Sequence, residues 1–558
     1  MSKKSFACDF EATTNINDCR VWAFGVMEVG NLDNYTEGNN LDDFMKFMKK
    51  NKGSYYFHNL KYDGQFIIPW LFNNGFTYSE GKEKNTFSCV ISSSGQFYEI
   101  SIVYGYKGKN IQAARIYDSL KKIPFPIKTI AKAYDLPIMK GEIDYNKYRA
   151  PGHELTPDEE LYLRYDVEIL ARALAIQFEQ GLTKMTIGSD SMNLYKKSVG
   201  KNFYKNHFPV LDIKADDEIR KAYKGGFTWV NPKIQGKEIG EGIVFDVNSL
   251  YPAQMRNKPM PYGLPLLFEG KYVQNDEYPL YIQSFTCEFE LKENMIPTVQ
   301  VKKTMFFSDN EYLSSSDGER ITLTMTNVDY DLFIEHYEVY DVEYHNGYMF
   351  QSAVGLFTDH IDYWGHIKET STGAIKTLAK LVLNNLYGKF ASNPDVTGKI
   401  PYLDDDGIVK YKLGPEEKKD PVYTAVGCFI TAWGRYETIT AAQKCYDRIC
   451  YCDTDSIHLM GTETPKAISD MIHDTKMGYW QHESTFKRAK FIRQKTYVED
   501  IVIGDKIELN VKCAGMPDNI KKLVNFDNFE VGFQSNGKLI PKRTQGGVVL
   551  VPYTFSIK

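Results

Sequence analysis

The sequence has no apolar run long enough to span a bilayer, no CxxC pair, no internal repeat and no low-complexity tract. Each absence removes a class. A membrane helix needs about 20 consecutive apolar residues, so none is expected. The opening residues, MSKKSFACDFE, put Asp9 and Glu11 where a signal peptide needs an apolar stretch, so no secretion signal is expected. Nine cysteines, an odd number without paired spacing, argue against a disulfide framework or a zinc site and read as packing residues in a reducing compartment. A basic balance is missing too, since the net charge of -5 argues, taken alone, against a nucleic-acid partner. Net charge hides distribution, however. KRAKFIRQK at 487–495 carries five basic residues and no acid, which fits a phosphate-binding surface or an ordinary solvated face.

What remains is a chain of 558 residues, and at about 150 residues per domain it divides into three or four. A hydrophobic content of 43% is ordinary for a globular protein, while 39 Tyr and 33 Phe make it aromatic-rich, so disorder is not expected to dominate. The first 185 residues mix strand-like runs (SFACDF, VWAFGVMEV, SYYFHNL) with helical ones, as an α/β unit does. Residues 154–180 have a Thr-Pro start, acids in the first turn and apolar residues at helical spacing, which predicts a long helix. From 258 to 355 the sequence turns strand-like, as an insertion. GAIKTLAKLVLNNLYGKF, 373–390, returns to helical periodicity, and 391–424 reads as an exposed hairpin-rich excursion.

Acids at short spacing stand out. YCDTDSIH, 451–458, lies between two runs that read as short half-buried strands, so Asp453 and Asp455 fall at a hairpin turn. If that stretch is extended, i and i+2 share a face, and two carboxylates there repel unless a proton or a hard cation sits between them. A solvated turn reads equally from those letters. In VFDVNSLYP, Asp246 follows an apolar strand and precedes a turn expected to break at Pro252; it is either a delivered carboxylate or a turn cap. Lys376, Lys380, Asn384 and Tyr387 share one helix face, able to grip a triphosphate or simply to meet water. CDFE repeats the i, i+2 acid pattern at Asp9 and Glu11; HNLKYDG supplies Asp63, and Tyr162 and Asp166 lie four apart on the long helix.

In this order, DVNSLYP, KLVLNNLYG and YCDTDS resemble motifs A, B and C of family B DNA polymerases, and the chain is similar throughout to the protein-primed enzymes of small Bacillus phages. The resemblance implies an α/β and α+β multidomain fold: a DnaQ/RNase H-like exonuclease followed by a right-hand polymerase of palm, fingers and thumb with two family-specific insertions. It implies 1–185 as 3′–5′ exonuclease, 186–257 and 425–512 as palm, 258–355 as a terminal-protein region and 356–390 as fingers. The second insertion, for strand displacement and processivity, is 391–424, and 513–558 is the thumb.

It also assigns roles. Asp246 and Asp455, with the Val247 carbonyl and Asp453 nearby, would hold two magnesium ions, for which manganese can substitute. Lys368, Lys376 and Lys380 would neutralise the incoming deoxynucleoside triphosphate; Tyr251 would exclude ribose, and Asn384 and Tyr387 would line the nascent base pair. Lys495 and Tyr497 match a primer-holding KxY motif, which gives the basic run before them a use in phosphate neutralisation. Asp9, Glu11, Asp63 and Asp166 would bind a second metal pair, with Tyr162 orienting water, Lys140 auxiliary and Glu142 a further carboxylate. His58, Asn59, Tyr62, Phe66, Ser119, Leu120 and Tyr145 match single-strand DNA contacts, although each aromatic could equally be core. Tyr223, Gly225 and Gly226 match a YxGG element whose glycines permit close approach to DNA or mark a plain turn.

The implied activity is DNA-directed, protein-primed, proofreading and strand-displacing synthesis on a linear phage genome. The implied partners are primer-template and single-stranded DNA and a terminal protein, for a monomer in the cytoplasm of an infected bacterium. Three departures stand against the family pattern: Asn385 where Ser is usual, Ala12 where Thr is common, and a short 500–512 region. Two rivals remain. A non-catalytic DNA-binding factor on a degenerate scaffold predicts lost acids, and a reverse transcriptase predicts adjacent aspartates where Thr454 intervenes.

Overall fold

The computed structural model describes residues 4–145, 147–302 and 310–558, so part of the expected insertion at 258–355 lies outside the described residues. Among the described residues, no helix is long and apolar enough to cross a membrane.

The first unit is an eight-stranded mixed sheet. Strands Ser5–Ala12, Val21–Glu28 and Asn31–Gly38 run antiparallel, and Ser54–Phe57 and Asn110–Asp118 then add in parallel. This is the RNase H-like order. The expected long helix is Pro157–Glu179, packed on the first two strands and started by a capping box in which Thr156 and Glu159 bond each other's backbone.

The second sheet also has eight strands, with Gly242–Val247 at its centre, between Ser456–Met460 and Trp480–Arg493. Strands Ile449–Asp453 and Ser456–Met460 form the predicted hairpin, but both are buried along nearly their whole length, not half-buried. The helix Thr424–Lys444 covers part of this sheet, so alternation with polar residues is not needed. Pro252 does not break the chain either. It occupies the first turn of the helix Leu250–Asn257, where no intrahelical N–H is lost.

A four-stranded antiparallel sheet and the helix Asn327–His336 form the insertion after 258. The helix Gly373–Phe390 matches its predicted bounds and buries Leu378, Val382, Leu386 and Phe390. The excursion after 391 is the hairpin Lys399–Leu403/Val409–Leu413, and the chain ends in the long hairpin Gln534–Thr544/Gly547–Ser556. Both reach back to the first unit: Tyr411 Oη and Arg543 Nε each donate to Gln65 Oε1 over 3.2 Å.

Candidate active sites

The central strand ends with Asp246, whose cross-strand partner is Ser456, and the Val247 N–H donates to the Asp455 carbonyl over 2.7 Å. Two aspartates more than 200 positions apart therefore meet at one sheet edge. Thr454 between the two motif aspartates adopts φ +63°, so the chain reverses there and the expectation that Asp453 and Asp455 share an extended face is wrong. Asp455 turns into a cleft of about 1130 Å³ together with Asp246, Val247, Tyr251, Lys368, Lys376, Lys380, Asn384 and Tyr387. Asp453 instead binds the Lys495 ammonium and lies 3.3 Å from both the Thr228 hydroxyl and the Tyr451 hydroxyl.

Burial, then the Asp455 and Glu483 charges, push the Asp246 carboxyl up to about 7, and Lys368 only partly opposes them. Asp455 rises to about 6, first through burial and then through Asp453 and Glu483, against its own N–H and Lys495. On the opposite wall, burial and then Lys380 and Lys376 press the Lys368 ammonium downward. Lys368 also donates to Asn248 Oδ1 and Ser249 Oγ, each over 2.8 Å. Like charges crowd each other on both sides, the carboxylates of Asp246 and Asp455 on one and the ammonium groups of Lys368, Lys376 and Lys380 on the other. A divalent ion between the aspartates and a polyphosphate on the lysines satisfies both, so the donor set fits a hard cation.

Tyr251 and Tyr387 pack against each other in that cleft, with centroids 4.2 Å apart and planes tilted by 41°. Tyr497 is buried among Tyr451, His458 and Phe491, and it is Lys495 that reaches the motif turn. The basic run does not form one positive face. It lies on a strand that alternates sides: Lys487 pairs with Glu241, Arg488 with Glu238 and Asp500, and Lys495 with Asp453. Tyr223 is half-buried, and Arg435 holds the adjacent carbonyls of Lys224 and Gly225 at 2.8 and 2.7 Å. A Cβ on Gly225 would meet open space. On Gly226 it would lie 2.6 Å from Thr454 Cγ2, so that glycine permits close packing on the motif turn.

The second acidic group gathers in the N-terminal unit. Asp9 and Glu11 do share a strand face, and carboxylate oxygens from Asp9, Glu11 and Asp166 lie within 4.8 Å of one another. Asp166 binds Lys140 through one oxygen, while the other is buried without a partner. Burial and Asp166 raise Asp9 to about 7; burial and Asp9 likewise lift Glu11 and Asp63. An orphaned oxygen among mutually repelling carboxylates fits a cation. Tyr162 lies under Lys140, whose Nζ is 5.2 Å from its ring, and its hydroxyl meets that of Tyr145 at 2.7 Å. Glu142 stands outside the three-acid group. It lines an adjoining cleft of about 360 Å³ with Lys140, Tyr145 and Tyr162.

Asn59 takes φ +78° at the start of the helix carrying Asp63, with Tyr62 half-buried beside it. Three of the residues that match single-strand contacts are engaged within the protein. Phe66 is 0% exposed and packs on Tyr62, where Gly547 of the last hairpin closes over it. The Ser119 hydroxyl is buried and donates to the Phe57 carbonyl over 2.9 Å. Both His58 nitrogens are engaged, by Ser119 Oγ at 3.0 Å and the Phe125 carbonyl at 2.7 Å. Leu120 remains partly exposed, its N–H donating to Asp118 Oδ1 over 3.0 Å.

Two acids escaped the sequence reading. Glu483 sits where the register between Gly242–Val247 and Trp480–Arg493 shifts by one residue, a β-bulge that aims it at Asp246. No sequence signal marks a bulge. Asp118 was legible in RIYDSL and holds both the Asn59 and Leu120 N–H groups. At the departures, Asn385 Nδ2 donates back to the Leu381 carbonyl over 2.7 Å, and the 500–512 region is a tight hairpin turning at Gly504.

Comparison with known proteins agrees with this arrangement. Residues 44–473 match the family described as DNA polymerase type B, organellar and viral. The chain is 57% identical to the DNA polymerase of Bacillus phage M2, covering 100% of both chains. It superposes on Phi29 DNA polymerase with a TM-score of 0.98 at 55% identity, again over 100% of both chains. The same Phi29 enzyme bound to primer-template DNA and incoming nucleotide gives 0.96 over the full length of both chains at 55% identity. With its two acidic sites and its full-length matches, the chain belongs to the type B DNA polymerases of the organellar and viral group.

Proposed function

We propose that the chain extends a DNA primer at the cleft of Asp246 and Asp455 and removes mispaired 3′ ends at the group of Asp9, Glu11, Asp63 and Asp166. The observation that carries this is the cleft that brings Asp246 and Asp455 together with Lys368, Lys376 and Lys380. Two divalent ions at each site, magnesium with manganese as a substitute, would supply Lewis-acid activation of the attacking oxygen and charge neutralisation at phosphorus. Asp246, Asp455 and the Val247 carbonyl would hold the first pair, and the four exonuclease acids the second.

The chain's own residues do the rest. Lys368, Lys376 and Lys380 orient the triphosphate, and Tyr251 closes the floor against a 2′-hydroxyl while Tyr387 and Asn384 face the new pair. Asp453 fixes Lys495 for the primer strand. At the other site, Lys140 steadies Asp166 and Tyr162 directs water.

The same reading takes 1–185 as the proofreading domain, 186–257 and 425–512 as palm, 356–390 as fingers and 513–558 as thumb. The hairpin of 391–424 and the last hairpin, both pinned on Gln65, would close around DNA and support processive, strand-displacing synthesis. The insertion at 258–355 would receive a protein primer, in the cytoplasm of an infected bacterium. Extension of a primed template by Asp246→Ala tests the assignment. Nucleotide addition is expected to disappear, and undiminished addition would remove Asp246 from the reaction.

A further inference from the structure

Between the helix ending at Ala133 and the one starting at Pro157, the described residues form neither helix nor strand. Yet this segment supplies Lys140 to Asp166 and Tyr145 to Tyr162. Something other than regular hydrogen bonding must fix it. The fastening is one buried guanidinium. Arg149, 4% exposed, donates through Nη1 to the carbonyls of Asp144 and Lys147 at 2.6 and 2.8 Å, one residue before and two after Tyr145. Its Nε donates to Glu159 Oε1 over 3.0 Å, and its plane lies 4.5 Å from the Trp22 ring. Trp22 precedes Ala23, the cross-strand partner of Glu11.

Glu159 is equally overcommitted. Its second oxygen accepts from the Thr156 N–H over 3.0 Å and meets His153 Nε2 at 2.7 Å. Burial opposes its charge, but His153, the Thr156 N–H and Arg149 outweigh it and hold the carboxyl down at about 2. Three and seven residues along the same helix stand Tyr162 and Asp166, on the face Glu159 begins. A single Arg149–Glu159 pair therefore joins the strand beside Glu11, the segment carrying Lys140 and Tyr145, and the helix carrying Tyr162 and Asp166.

We infer that Arg149 and Glu159 are positioning residues of the degradative site, setting the segment of Lys140 and Tyr145 against the helix of Tyr162 and Asp166. This rests on the reading of that site as an exonuclease. Neither residue bonds the acid group, although the Arg149 charge is felt at Glu11; they position the site through Lys140 and Tyr145. Surface ion pairs contribute little, but a buried pair of this kind leaves an uncompensated charge when either partner is removed.

The test uses the full chain, a 5′-labelled single-stranded oligonucleotide and magnesium. In Arg149→Ala, kcat for 3′-end removal is expected to fall about 100-fold with KM little changed, the loss that a misplacement of about 1 Å produces. Added methylguanidinium should restore part of it, which a general loss of folding would not permit. In a Lys140→Ala background, Arg149→Ala should cost little more, because the two losses share one route. Should Arg149→Ala also lose primer extension through misfolding, Glu159→Gln decides, since the glutamine oxygen can keep the capping box while its NH2 replaces the acceptor of Arg149 Nε and breaks the pair. An unchanged kcat in Glu159→Gln or in a folded Arg149→Ala, or a full independent loss in the Lys140→Ala background, overturns the inference. Asp9→Ala separates the two levels: if it leaves degradation intact, the exonuclease reading itself falls.

Discussion

Tyr251 and Tyr387 meet with ring centroids 4.2 Å apart and planes tilted by 41°, and the helix behind them makes room with Gly434. A Cβ at Gly434 would lie 2.9 Å from Tyr251 Cε1, so Gly434→Ala must push that ring toward the cleft. Selection against ribose should change in Tyr251→Val and not in Gly434→Ala. Tyr251→Val opens the floor and should lower the preference for deoxynucleotides by about 1–3 kcal/mol, roughly 10- to 200-fold. Gly434→Ala should instead depress insertion of both nucleotides while preserving the preference. Single-nucleotide insertion with dNTP and rNTP reads both, and an unaltered preference in Tyr251→Val would contradict the assignment.

Gly226 and Thr454 form a second such contact. Gly226→Ala meets Thr454 Cγ2, Oγ1 and Cβ at 2.6, 2.7 and 2.9 Å and should cost about 1–3 kcal/mol of stability. Adding Thr454→Gly removes all three atoms and should recover most of that loss in urea unfolding. Gly225→Ala meets nothing within 4 Å, so its stability should be unchanged.

Asp329 of the insertion grips Arg435 through both carboxylate oxygens, at 2.9 and 2.7 Å, with both side chains buried. Asp329→Asn leaves that guanidinium without a counter-charge and should destabilise the chain by about 3–5 kcal/mol. The double variant Asp329→Leu/Arg435→Met should be far closer to wild type. Denaturant midpoints of the three proteins give the comparison, and a harmless Asp329→Asn would show that the pair is not desolvated.

His360 is buried beside Tyr195, and its Nε2 has no partner. Burial lowers its pKa from 6.5 to about 4. The unfolded chain therefore binds the proton first, and stability falls as pH drops from about 6.5 and levels off below about 4, by roughly 3 kcal/mol in all. His360→Phe should flatten that part of the stability profile between pH 7 and 4. An equally steep profile in the variant would place the acid sensitivity elsewhere.

The parts that were legible in the sequence are those in which local pattern and final position coincide. The helix Gly373–Phe390 was readable to the residue because its apolar stripe and its lysine face obey one period. Asp9 and Glu11 kept their common face because their strand stays extended. Asp453 and Asp455 did not, since a left-handed residue between them reverses the chain, and β-branched threonine gives no warning of φ +63°. The surroundings of Phe66, Ser119 and His58 were unreadable for another reason. Their environment is made by segments far away in the sequence, such as Gly547 closing over Phe66. The acid partners of 487–495 were invisible for the same reason, coming from 238, 241, 453 and 500.

On the proposed function, two sets of acids, remote along the chain, form two separate centres, one that lengthens DNA and one that shortens it. A 5′-labelled primer annealed to template, incubated with magnesium in the presence or absence of deoxynucleotides, reads both in one gel. Asp455→Asn should shorten the primer and never lengthen it, and Asp9→Ala should lengthen it and never shorten it. Loss of both activities in either variant, or of neither, would contradict the account.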